Sequence, residues 1–269
     1  MDIGQPFFWM NGVLATELME ISSDPDSLND GGFWAVSTTF EGRYIFAKFA
    51  TVIGGATFPE TGEWAGLTQV WESSMQQQDF EDYVLEIQNQ IEQGNVYQVN
   101  ACRILSTKIS KERSLATLFA KILAKNPAPH ASFLKLPDIE IASASPELFV
   151  SRDGAQLKTS PIKGTRKLSE TGSAFSSKDR AENVMIVDLM RNDLSRFAKR
   201  GSVEVLDWCG LHTFPTVHHL ISTVACSVEE SIRVTDILKS TFPMGSMTGA
   251  PKVSAMKLIQ RYERFPRSL

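Results

Sequence analysis

Lys163, in the run SPIKGT, and Glu147, in SASPELF, carry an amine and a carboxylic acid, side chains that can act as a nucleophile and an acid. A lysine amine becomes a nucleophile once burial lowers its pKa, and a carboxylic acid can hand a proton to a leaving group. Asp179 and Glu182 stand three residues apart in KDRAEN, so on a helix they share one face. His218 and His219 are neighbours in FPTVHHL, and the glycine-rich string GSMTGAPK lies at a helix start, where free amides can receive an anion. Each signal also has a plain reading. A lysine after proline is commonly a solvated turn residue, and two acids near a helix start offset its dipole. Adjacent strand histidines point one inward and one outward, and GSMTGAPK is neither a Walker loop nor a GxGxxG fingerprint.

The elements that must position these residues are written as local patterns. LFVSR and AQLKT, joined by Asp153 and Gly154, read as a hairpin with a two-residue turn. That register puts Glu147 opposite Ser160, so Glu147 and SPIKGT meet at the open end, where Pro161 ends the ladder and frees Lys163 to turn inward. Ser177 reads as the N-cap of a long amphipathic helix closed by Gly201. VHHLISTVACSV has strand character, and a further helix runs from the FPMGSMTGAPK loop through Met256 to Arg261. Upstream, alternation in FWAVSTTFEGRYIFAKFATV predicts a hairpin from Phe33 to Val52 with a turn at Glu41 and Gly42. Asp79 reads as the cap of a helix carrying Tyr83, Val84, Ile87 and Ile91 and stopped by Gly94. NVYQVNACRIL then has strand composition, and Ser114 caps a helix carrying Leu115, Leu118, Ile122 and Leu123 that Pro127 ends.

Composition narrows the function classes. The 269 residues are 42% hydrophobic, with 27 basic against 31 acidic side chains and a net charge of −4. With Lys and Arg scattered, the chain has no electrostatic footprint for nucleic acid or an anionic membrane. Cys102, Cys209 and Cys226 are far apart with no CxxC pair, which argues against a disulfide framework or thiolate metal site and for a reducing cytoplasm. MDIGQPFFWM is unlike a signal peptide, and no run approaches the ~20 apolar residues of a membrane span. Strands and helices intermix without a βαβ rhythm, predicting an α+β fold of large antiparallel β-sheets packed together with helices outside. We divide the chain into an N-terminal subregion with β-hairpins, 1–75, and a second region, 76–269, that holds the candidate reactive residues.

Taken together, GNVYQVNACR, ASASPELFVSRDGAQLKTSPIKGTR, KDRAENVMIVDLMRNDL, FPTVHHLIST and FPMGSMTGAPK resemble, in order, the motifs of the chorismate-utilising enzymes, closest to the aminodeoxychorismate synthase component I branch. The resemblance runs from about Asp79 to the end of the chain; Met244 departs from it, since many members have glycine there. It implies that ammonia replaces the ring 4-hydroxyl of chorismate, on the route to para-aminobenzoate and folate. Lys163 is then the nucleophile that adds to ring carbon 2, and Glu147 the general acid for the departing hydroxyl. The implied metal is Mg²⁺, with Glu182 as direct ligand and Asp179 behind it, through water. The substrate-binding residues implied are His219, Ser246 and Thr248, while Lys252 and Arg191 keep structural roles.

Two positions separate the branches. Isochorismate and salicylate synthases carry a lysine base where this chain has Gln98, and anthranilate synthases usually have alanine where it has Lys163. Both favour amination, with anthranilate synthesis as the alternative. No glutamine amidotransferase motif is present, so the implied partner is a separate glutaminase subunit that supplies ammonia. Family members also continue roughly a hundred residues beyond ERFPR, about a domain-sized piece, carrying a substrate arginine and a second metal carboxylate. The resemblance therefore implies a family domain incomplete at its C-terminal end, and an alternative in which the chain is a catalytically incompetent fragment.

Overall fold

The computed structural model describes residues 4–60, 62–110, 113–170 and 175–269. Alternating aromatic and aliphatic residues give strands β1 (Phe7–Met10), β2 (Val13–Ser22), β3 (Phe33–Thr38) and β4 (Tyr44–Gly54). The expected hairpin is present, with Thr38 opposite Tyr44 across the Glu41–Gly42 turn. There follow β5 (Glu72–Ser73), α1 (Gln77–Glu92), β6 (Gln98–Val99), β7 (Leu105–Ser106), α2 (Leu115–Lys125), β8 (His130–Leu136) and β9 (Ile139–Ser145). The first sheet has the order β3-β4-β2-β1-β8-β9. A boundary at residue 75 therefore does not isolate a sheet, because strands from beyond residue 130 complete the one begun at the N-terminus. Helix α2 covers this sheet: Phe119 is fully buried among Phe7, Trp9 and Phe133, and the Phe58 ring lies 4.8 Å from that of Phe119.

Ser114 caps α2 as its sequence indicates, its hydroxyl accepting from the Ala116 amide. Helix α1 begins earlier than expected, with Gln76 rather than Asp79 at the N-cap, and Asp79 sits in the first turn, where its charge favours the dipole. NVYQVNACRIL is mostly irregular in pairing. Only Gln98–Val99 forms a regular bridge within its first half, while the Asn100 amide donates to the Thr248 carbonyl at 2.9 Å.

The second sheet is built from β10 (Leu148–Asp153), β11 (Gln156–Ser160), β12 (Ile162–Lys167), β13 (Glu204–Thr213) and β14 (Val217–Ser227). Strands β11 and β12 lie end to end along one edge of β14, and β13 runs along the other. Between β12 and β13, α3 (Ser177–Ser195) buries Ile186, Val187, Met190 and Leu194 against Leu157, Val224 and Cys226. Its N-cap is Ser176, one residue before the expected Ser177, and it ends at Ser195, before the turns that lead to Gly201. The chain continues through α4 (Val234–Thr241), α5 (Gly245–Thr248), β15 (Gly249–Ala250) and α6 (Lys252–Tyr262). Strand β15 pairs with β6, which brings the GSMTGAPK loop beside the Gln98 segment. The architecture is α+β with two large antiparallel sheets and helices, as the sequence indicates. No helix of the described residues is long and apolar enough to cross a membrane.

Candidate active site

The β10–β11 hairpin forms, but its register differs from the expected one. Asp153 pairs with Gln156, so the turn is Gly154–Ala155, and a bulge between Leu148 and Ser151 puts Leu148, not Glu147, opposite Ser160. Gly154 takes the left-handed φ of 55° that shifts the turn one residue along. Glu147 thus lies just outside the ladder. Pro161 interrupts the sheet without ending it: β12 resumes with Ile162 opposite Ile221, then slips register before Thr165 pairs with His219. Lys163 and Gly164 occupy that bulge.

Gly164 explains how the bulge meets α3. Its φ is +89°, and a Cβ would stand 3.0 Å from the Phe175 ring and 3.2 Å from the Asp179 Cβ. Only glycine satisfies both the conformation and the close approach. Lys163, next to it, is half-buried and near enough for its charge to act on Glu147.

Glu147 is shifted in the direction opposite to Asp179. Burial pushes its carboxyl above the ordinary glutamate range, with the Ser246 hydroxyl, the Lys163 charge and the Ile162 amide pulling back less strongly. Its Oε1 is buried without a hydrogen-bond partner, as is the Ser246 Oγ. The hydroxyl is close enough to pull the carboxyl pKa down, yet it makes no hydrogen bond of its own. Two facing buried polar groups with unfilled hydrogen-bonding capacity fit a polar ligand between them.

His219 is buried, with Nδ1 2.9 Å from Thr165 Oγ1 and the Phe214 ring 5.2 Å away, edge-on. Burial lowers its pKa, opposed by a hydrogen bond with the Gly164 backbone, so the imidazole is biased towards the neutral form. His218 is more exposed and has Nδ1 2.9 Å from Thr213 Oγ1.

Ser246 and Thr248 differ in what they offer. Ser246 presents an unbonded hydroxyl, whereas the fully buried Thr248 hydroxyl donates back within its own helical turn, to the Met244 and Gly245 carbonyls. Thr248 is better placed to hold the loop than to touch a ligand with its side chain. The loop is clamped by small residues: a Cβ at Gly245 would overlap Leu189 and Met190 of α3, and one at Gly249, where φ is +148°, would overlap the Gln98 carbonyl. Gly249→Ala is accordingly expected to lower stability by on the order of 3 kcal/mol, read as a fall in the urea midpoint with an unchanged m-value. Lys252, next along, is buried with Nζ 2.5 Å from Asp193, tying α6 to α3, and Arg191 pairs with Asp188 at 3.4 Å on an exposed face. In the Lys252 pair, burial pushes Asp193 up and Lys252 down, each opposed by the other's charge.

The acidic pair on α3 separates into two roles. Asp179 completes a capping box, its Oδ2 accepting from the Ser176 amide at 2.9 Å and hydroxyl at 2.6 Å, and these bonds hold its pKa below the usual carboxylate range. Glu182 is half-buried, with Lys178 at 3.8 Å. Among the described residues, no three His, Cys, Asp or Glu side chains come together to hold a metal. Of the two acids, Asp179 is committed to the helix cap and Glu182 keeps a half-buried carboxylate, enough to take part in holding a Mg²⁺ ion, which commonly uses one or two protein carboxylates. The sequence reading missed Thr165, which orients His219, and Asn100, whose Nδ2 donates to the Ser246 carbonyl at 2.5 Å. Neither has a local pattern to betray it, because each partner is brought by another strand or loop.

Known proteins similar to this chain can now be set beside it. The chain is 40% identical over 206 residues to aminodeoxychorismate synthase component 1 of Escherichia coli K12, covering 73% of this chain and 45% of that protein. It is 33% identical over 226 residues to anthranilate synthase component 1 of Aquifex aeolicus, covering 80% of this chain and 45% of that protein. The chain thus spans less than half the length of these curated relatives. Its fold superposes on anthranilate synthase component I from Streptococcus pneumoniae with a TM-score of 0.76 at 21% identity, covering 98% of this chain and 76% of that one. Residues 42–269, which hold Lys163, Glu147, His219 and the GSMT loop, match the chorismate binding enzyme family, and the chain belongs to it.

Proposed function

We propose that this chain is the chorismate-aminating component of an aminodeoxychorismate synthase, converting chorismate and ammonia to 4-amino-4-deoxychorismate and water. The observation that carries this reading is the half-buried Lys163 beside a Glu147 whose pKa burial has raised. The Lys163 amine adds through its lone pair to ring carbon 2, the ring double bonds shift, and the C4–O bond breaks. Glu147, whose carboxyl burial biases towards the protonated form, gives its proton so that the hydroxyl leaves as water. Ammonia then adds at carbon 4, the double bonds shift back and the C2–N bond breaks. The proton lost by the incoming nitrogen restores Glu147, and Lys163 is released as the free amine. His219, biased towards neutrality and held by Thr165, is placed to hydrogen-bond the departing oxygen. When bound, Mg²⁺ would neutralise a substrate carboxylate, with Glu182 the half-buried acid available to it.

A relative named component 1 supports a second component, which we propose is a glutaminase that supplies ammonia. The likeness to an anthranilate synthase supports a second reading, formation of anthranilate. Incubating the full chain with chorismate, ammonium and Mg²⁺ distinguishes the two. The expected product is 4-amino-4-deoxychorismate without pyruvate. Equimolar pyruvate and a fluorescent product would establish the anthranilate reading instead, and no product together with no chorismate binding by calorimetry would leave a fragment without activity.

A further inference from the structure

Beyond the residues that face the site, one buried ion pair reaches it through a short chain of hydrogen bonds. Glu263, just after α6, and Arg267 are almost wholly buried, with side chains 2% and 7% exposed. The guanidinium makes forked contacts to Glu263, Nε to Oε2 at 2.6 Å and Nη2 to Oε1 at 2.6 Å. Two further N–H groups go to carbonyls, one on Nη1 to Met247 at 2.7 Å and one on Nη2 to Asn100 at 2.6 Å. Asn100 in turn donates from Nδ2 to the Ser246 carbonyl at 2.5 Å. Glu263 Oε1 also accepts from the Tyr83 hydroxyl and the Cys102 amide, both at 3.1 Å. The pair therefore grips the carbonyl after Ser246 directly and the Ser246 carbonyl through Asn100. It is anchored on its other side by α1 and the irregular segment at Cys102.

We infer that the buried Glu263–Arg267 pair is a positioning element for the site, fixing the GSMT loop so that the unbonded Ser246 hydroxyl stands against the Glu147 carboxyl. Neither residue touches the candidate site; both act through Met247 and Asn100. The fork matters as well as the charge. A lysine at 267 keeps the ion pair, but its compact ammonium cannot hold two carboxylate oxygens and two separate carbonyls at once. The inference rests on Glu147 and Ser246 being the ligand-facing pair of the proposed function.

Two measurements test it on the full chain. The first is the titration of Glu147, followed by carbon-13 NMR with Glu147→Gln for assignment and without any ligand. Besides Ser246, the groups acting on this carboxyl are Lys163 and the Ile162 amide, and the variants leave both in place. Ser246→Ala, Arg267→Lys and Asn100→Ala should each raise the midpoint, and Arg267→Lys should add nothing in the Ser246→Ala background. Asn100→Ala keeps the ion pair intact and stands in if Arg267→Lys does not fold. Additive shifts, or a wild-type midpoint in Ser246→Ala, Arg267→Lys or Asn100→Ala, would overturn the inference.

The second measurement is chorismate affinity by calorimetry, expected to fall about tenfold in each single variant and no further in the double. Wild-type affinity in Arg267→Lys and Asn100→Ala counts against positioning. Absence of binding by the wild-type chain sinks the chorismate reading, and the NMR titration then decides positioning alone.

Discussion

Lys163→Ala is expected to reduce ammonia-dependent turnover of chorismate on the order of a thousand-fold, equivalent to about 4 kcal/mol of barrier. A nucleophile that forms a covalent intermediate contributes only once bond making begins, so chorismate affinity should change far less than turnover. The fold should tolerate the change. Lys163 sits half-buried in a strand bulge and belongs to none of the hydrophobic clusters, so the thermal midpoint should move little. The check is twofold: product formation by chromatography, and mass spectrometry of wild-type protein quenched during turnover, which should carry an adduct on Lys163 that the variant lacks. Turnover within a few-fold of wild type in a folded Lys163→Ala protein would falsify the covalent route.

Glu147→Gln is expected to cost about 10²- to 10⁴-fold in turnover, the usual range for a general acid, while raising stability at neutral and alkaline pH. The sign follows from burial. Because the folded carboxyl has a pKa above its unfolded value, the folded protein retains a proton that the unfolded chain has already lost. Its contribution to stability is fully present below the unfolded pKa and declines as pH rises through the raised folded value. Glutamine, neutral at every pH, removes that decline, so the two proteins should have similar urea midpoints in acid and diverge above it. Turnover of the wild type should fall on the alkaline side of the same titration. A variant less stable than wild type at pH 8 would mean that the Lys163 attraction outweighs burial, and Glu147 would then be a charged partner of the lysine and no proton donor.

Much of this site was legible in the residue string, for reasons that can be named. Ser114 and the Glu41–Gly42 turn act through backbone groups a few residues away, and the structure has them where the sequence puts them. Lys163 and Glu147 are close for a local reason as well, a single hairpin between them, although the detailed register was wrong. A turn moved by one residue and a bulge compensated each other nearly enough to leave both at the same end of the sheet. Asp179 shows the opposite limit. Its spacing from Glu182 suited a shared metal face, yet Ser176 claims its carboxylate for the helix cap. A residue pair three apart states which face is shared and says nothing about competing partners on that face.

By itself, then, the order of residues determined which side chains are candidates for the chemistry, most of the helices and strands that carry them, and the family. These depend on short-range periodicity, caps and turns, whose partners are close along the chain. Only the tertiary structure decided that Ser246 meets Glu147, that Thr248 spends its hydroxyl internally, and that Asn100 and Arg267 hold the loop between them. Those contacts join residues up to 167 positions apart. They exist because sheet bulges and close-packed glycines bring distant backbones together, and no pattern in a single segment specifies which distant backbone that will be.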